Sequence, residues 1–77
     1  MKLRVECYAG RKGDERPVRF QLGDRDYLVE EMVDQWYGSD ATFFKVRADD
    51  GHLYILRHES SGNGEWRLEA FRKHDTP

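Results

Sequence analysis

A chain of 77 residues has room for one hydrophobic core, since a second would need roughly 50 further residues. With 36% charged and 38% hydrophobic residues it is too apolar for a disordered segment and too polar for a membrane span, so a soluble globular domain is expected. The net charge of −2 argues against simple coating of DNA or of an anionic membrane, the single Cys7 excludes an internal disulfide, and MKLRVECYAG lacks a signal-peptide core, which makes the cytoplasm the expected location.

Charge is uneven along the chain. Residues 1–22 carry six basic and three acidic groups, 23–51 three and eight, and 52–77 four and four, or +3, −5 and 0. A surface with two signs can steer a partner, although solubilising charges on solvent-facing strand positions give the same pattern.

Leu3, Val5 and Cys7 alternate with Arg4, Glu6 and Tyr8, the period-2 pattern of a half-buried first strand. Ala9 to Glu15 reads as a loop. Alternation resumes from Arg16 to Leu22, which places Val18, Phe20 and Leu22 on one face and Arg19 and Gln21 on the other. Pro17 lacks an amide donor, so it belongs at the start of that strand or on an edge. Gly23-Asp24 is the next turn.

Asp26 to Gly38 is ambiguous. Val29, Met32, Val33 and Trp36 fall at helical spacing, Asp26 can cap a helix and Gly38 can end one. The same residues also read as a long strand with a bulge at Glu30-Glu31, which puts Tyr27 and Val29 on one face with Met32, Asp34 and Trp36. The local pattern favours the helix slightly, but the strands on both sides and the resemblance described below make the bent strand the preferred reading. A helix at about 26–37 is the alternative, giving α+β.

The clearest unit is the hairpin Thr42 to His58. Asp49-Asp50-Gly51 fits a type I turn followed by a left-handed glycine, and this loop length pairs Val46 with Tyr54 and Phe44 with Leu56. Those four residues then form a core face, while Phe43, Lys45, Arg47, Leu53, Ile55 and Arg57 point outward. After a turn at Ser60 to Gly64, Glu65 to Phe71 gives a last strand with Trp66, Leu68 and Ala70 inward. The expectation is one all-β domain, residues 1–72, built as a small antiparallel barrel or rolled sheet of five to six strands, with a frayed tail at 73–77.

No catalytic constellation emerges. His52 and His58 share a strand face but stand about 20 Å apart, too far to hold one ion. Cys7 has no indicated base, Ser60 and Ser61 lack the G-x-S-x-G context, and Asp24 and Asp26 match an EF-hand loop whose sixth position is Val29 instead of glycine. Glu30-Glu31 and Asp49-Asp50 are adjacent residues, the second pair explained by its turn. No enzyme, cofactor or metal is expected.

The outer hairpin face interleaves Lys45, Arg47 and Arg57 with Phe43, Leu53 and Ile55. With Trp36 and Tyr37 it can anchor a protein partner, because aromatics and arginine are the usual anchors. With Arg16 and Arg19 for further phosphate contacts, and Phe43 or Tyr37 for stacking, the same residues can bind single-stranded nucleic acid. Protein docking is the first reading and nucleic acid the second; the oligomeric state is left open.

Arg16-Pro17-Val18-Arg19-Phe20, Tyr27 to Trp36, Phe43 to Gly51, Tyr54-Ile55-Leu56-Arg57 and Gly64-Glu65-Trp66-Arg67-Leu68, taken in order, resemble a family of small uncharacterised bacterial domains. The shared pattern runs from a basic-aromatic strand through V-x-E-V-x-D-x-W and Y-x-V-R-x-D-D-G-x-x-Y-x-L to G-x-W-x-L. It is similar to the C-terminal segment of inactive Y-family polymerase homologues in bacterial mutagenesis cassettes. The resemblance covers roughly residues 16–71 and implies a β fold and an accessory role beside DNA-repair or translesion machinery. It carries no catalytic residue onto this chain.

Overall fold

The computed structural model describes residues 3–9, 15–60 and 64–72. The expected tail at 73–77, most of the first loop and the middle of the last turn lie outside them. The described residues form six strands: β1 Leu3–Ala9, β2 Glu15–Leu22, β3 Arg25–Tyr37, β4 Ala41–Ala48, β5 Leu53–Glu59 and β6 Trp66–Arg72. Each pairs antiparallel with the next in a single sheet of order β1-β2-β3-β4-β5-β6, curled into a half-barrel. No helix forms at 26–37.

The β4–β5 hairpin has the register and faces expected from its turn. Phe44 pairs with Leu56 and Val46 with Tyr54, and all four are buried. Gly51 has φ +84, and the Ala48 amide donates to the His52 carbonyl at 3.0 Å while Gly51 donates back to Ala48 at 2.9 Å. Gly23, at φ +64 in the first central position of the β2–β3 turn, meets the demand of a II′ hairpin.

β3 is long because it serves both halves of the sheet. Arg25 to Leu28 pair with β2, and from Val29 onward the strand pairs with β4. A bulge lies between Val29 and Glu31, as expected, but a second lies between Met32 and Asp34. Each inserts one unpaired residue and sharpens the local bend. The half-buried residues are therefore Tyr27, Val29, Met32 and Gln35, whose spacing imitates a helix. Asp34 and Trp36, expected to share a face with Tyr27, Val29 and Met32, lie on the opposite face.

Two more bulges reverse local expectations. In β2, Glu6 pairs with Arg19 but Cys7 with Pro17, so Val18 is the extra residue; it is exposed and Pro17 is buried instead. Pro17 is tolerated because β3 pairs only from Arg19 onward, leaving that stretch of β2 with one neighbour. In β6, Ile55 pairs with Ala70 but Leu56 with Leu68, so Ala70 moves to the outer face and Phe71 to the inner.

The core is the concave side: Leu3, Phe20, Phe44, Val46, Ala48, Tyr54 and Leu56, with Val5, Leu22, Tyr27, Val29, Met32, Trp66 and Leu68 packed against it. No polar or charged residue is buried among the described residues. Phe20, Tyr27 and Tyr54 meet with ring centroids 5.0–5.4 Å apart and bind the two halves of the sheet together. Aromatic area supplies the packing that so short a chain cannot draw from numbers of aliphatic residues.

Candidate functional site

On the convex side, cross-strand register sets the side chains of β3 to β6 in rows. Trp36, Phe43, Arg57 and Arg67 lie side by side; Asp34, Lys45, Ile55 and Ala70 form the next row, and Glu31, Arg47, Leu53 and Arg72 the third. The first row carries the strongest chemistry. Trp36 stacks on Phe43 with centroids 5.6 Å apart and planes within 7°, and the Arg57 guanidinium lies 5.8 Å from the centre of the Phe43 ring. That is within the range of a cation–π contact.

The row packs closely against the β3–β4 turn. Gly38 lies so close to Phe43 that a Cβ there would stand 3.0 Å from its ring. The Gly38 amide donates to the Ala41 carbonyl at 2.7 Å and so shapes the β3–β4 turn. Trp36 is 38% exposed, so the stacked pair presents an open aromatic surface.

Three arginines on this face are matched by carboxylates. Arg47 donates to Glu31 at 2.7 Å. Arg57 lies 3.6 Å from Asp40 and 3.5 Å from Glu59, and Glu59 also approaches Arg67 at 3.8 Å, while Arg67 reaches Glu65 at 3.6 Å. The Arg57 Nε is shut off from water and makes no hydrogen bond. Lys45 and, at the end of the third row, Arg72 have no carboxylate within ion-pair distance among the described residues.

The candidate residues are thereby divided. Trp36, Phe43, Lys45, Arg47 and Arg57 share the convex face of β3 to β5. Tyr37 does not: it sits on the other face of β3, where its hydroxyl accepts a hydrogen bond from Gln35 at 3.0 Å, and it is 76% exposed beyond the end of the core. Arg16 and Arg19 belong to β2, and Arg19 lies 3.4 Å from Glu6 in a row with Leu28. The carboxylates Glu31, Asp40 and Glu59 and the fourth member of the first row, Arg67, carry no signal of a shared site in the sequence. Only the register between strands brings them to the site.

His52 packs edge-on against Phe71, and His58 stacks on Trp66 at 4.2 Å. No group of three or more metal-ligating side chains gathers among the described residues, and no helix there is long and apolar enough to cross a membrane. No protein-family model, curated protein or solved structure matches this chain.

Proposed function

We propose that this chain is a non-enzymatic module that docks a protein partner through the convex face of β3 to β5, centred on Trp36 and Phe43. The observation that supports this reading is the pairing of exposed, stacked aromatics with arginines already neutralised by neighbouring carboxylates. A phosphate-binding surface needs cations free to release their counterions, whereas a protein interface uses a rigid aromatic anchor ringed by balanced polar groups. The accessory role beside DNA-repair machinery belongs to the same proposal and rests on the resemblance of residues 16–71.

The test compares cross-linked partners of the wild type in cells with those of Trp36→Ala and Phe43→Ala, each shown to be folded. A specific protein recovered with wild type and lost with both variants is the expected result. Trp fluorescence that responds to a single-stranded oligonucleotide at low salt, with affinity falling steeply as salt rises, would replace this reading with nucleic-acid binding.

A further inference from the structure

The half-barrel does not close. Five successive antiparallel pairings make β1 and β6 run in opposite directions, yet the sheet order ends at both, and among the described residues no ladder joins them. Between them lies a cleft of about 810 Å³ lined by Leu3, Arg4 and Val5 on one wall and Gly64 to Leu68 on the other. Its size is that of a ligand site.

The overlap is short. Since Leu3 to Val5 share the cleft with Gly64 to Leu68, the remaining residues of β6, Glu69–Arg72, run on past the start of β1. Their free edge has no strand partner among the described residues. An edge strand presents unpaired N–H and C=O groups at the spacing of an extended backbone, and that is what such an edge recognises.

Two observations define the partner further. Phe71, on this same stretch, is 45% exposed while stacked on Tyr54 at 4.9 Å, so an apolar side chain arriving beside it covers surface that the core leaves open. Arg4 lines the cleft and Arg72 ends the stretch of β6 that runs beyond it, and neither has a carboxylate within ion-pair distance among the described residues. We infer that β6 accepts an extended segment of another protein as a seventh strand, apolar on the side facing Phe71 and the cleft and acidic on the side facing Arg4 and Arg72. This is strand addition, in which main-chain bonds give affinity and alternate side chains give specificity. It shares with the docking reading only that the ligand is a protein segment, and it uses a different surface.

The probe is a terminally blocked heptapeptide alternating glutamate and valine, added at about 1 mM to the full chain, a concentration that reveals even millimolar affinity. Amide exchange at residues 69–72 should slow by about tenfold or more, as for newly paired strand backbone. The same peptide N-methylated on alternate residues should not protect them, and Arg4→Glu with Arg72→Glu should weaken binding about tenfold while the fold stays intact. Trp36→Ala should leave peptide binding unchanged, which separates this site from the convex face. Unprotected β6 amides, or equal binding of the N-methylated peptide, overturn the inference. Protection without peptide, accompanied by a dimer in sedimentation, also overturns it by making a second copy the occupant.

Discussion

The Tyr54 hydroxyl donates a hydrogen bond of 2.6 Å to the Asp50 carboxylate, tying the start of β5 back to the turn that launches it. Asp50 also accepts the His52 amide at 3.0 Å. The turn aspartate thus closes its own loop and anchors a buried aromatic ring. Tyr54→Phe keeps the ring and removes the bond; a loss of about 1.5–3 kcal/mol is expected for a hydrogen bond to a charged group. Urea unfolding monitored by circular dichroism measures it, and an unchanged midpoint would show the bond to be energetically idle.

The same pair predicts a pH dependence. Burial pushes the Asp50 carboxyl up, but the Tyr54 hydroxyl, the His52 amide and the charge of His52 outweigh it, leaving the group below its usual value. A carboxylate whose pKa is lowered by folding contributes stability above its unfolded value, and that contribution fades as pH falls through the folded value, here below about pH 4. Burial and then the bond to Asp50 push the Tyr54 phenol far up. Its contribution is complete below the ordinary phenol value near pH 10 and is lost as pH rises through the higher folded value. Thermal melts of Asp50→Asn should lose part of the acid dependence, and melts of Tyr54→Phe part of the alkaline dependence.

Leu56 is fully buried at the centre of the concave face, opposite both Phe44 and Leu68. Leu56→Ala should cost about 2–5 kcal/mol, through lost burial and the cavity left behind. A single core of this size supplies roughly 3–5 kcal/mol, so the variant should be largely unfolded without denaturant. A cooperative, near-wild-type urea transition would contradict the placement of the core.

Gly38→Ala tests the support beneath the aromatic row. The added methyl group meets the Phe43 ring at 3.0 Å and the Ala41 carbonyl oxygen at 3.4 Å, so the ring that stacks on Trp36 must give way by a few tenths of an ångström. The near-ultraviolet circular dichroism of the Trp36–Phe43 stack should change, with a stability loss of about 1–3 kcal/mol from overpacking. An unaltered spectrum would mean that the stack does not depend on that close approach.

Gly51→Ala addresses the turn in isolation. At φ +84 an L side chain is strained, and the loss should exceed the roughly 1 kcal/mol that separates glycine from alanine at permissive sites. Because the space around it is open, the cost is one of backbone conformation rather than collision. Gly51→Asn should recover part of it, since asparagine tolerates the left-handed region better than alanine.

Where turn chemistry and alternation lie within a few neighbouring residues, the reading of faces from the chain alone was correct. Phe44, Val46, Tyr54 and Leu56 are inward because Asp49-Asp50-Gly51 imposes a three-residue connection, and that information is local. Trp36 parts from Tyr27, Val29 and Met32, with which alternation past a single bulge groups it, for a different reason. Its orientation depends on the bulge between Met32 and Asp34, and a bulge exists only relative to the strand opposite.

The candidate site divides along the same line. Phe43, Lys45, Arg47 and Arg57 could be placed together from the hairpin alone, because they sit at alternate positions around one turn. Their carboxylate partners, the Trp36 stack and the exclusion of Tyr37 follow from how β3 meets β4. The sequence by itself determined the strands before and after residues 26–38, the central hairpin and its faces, since side-chain period and turn residues act over short range. Tertiary structure alone decided that Pro17, Gln35 and Phe71 turn toward the concave side in place of Val18, Trp36 and Ala70, and that β1 and β6 leave a cleft unzipped. Inserted residues and sheet curvature belong to pairs of strands, and no single strand carries the information that sets them.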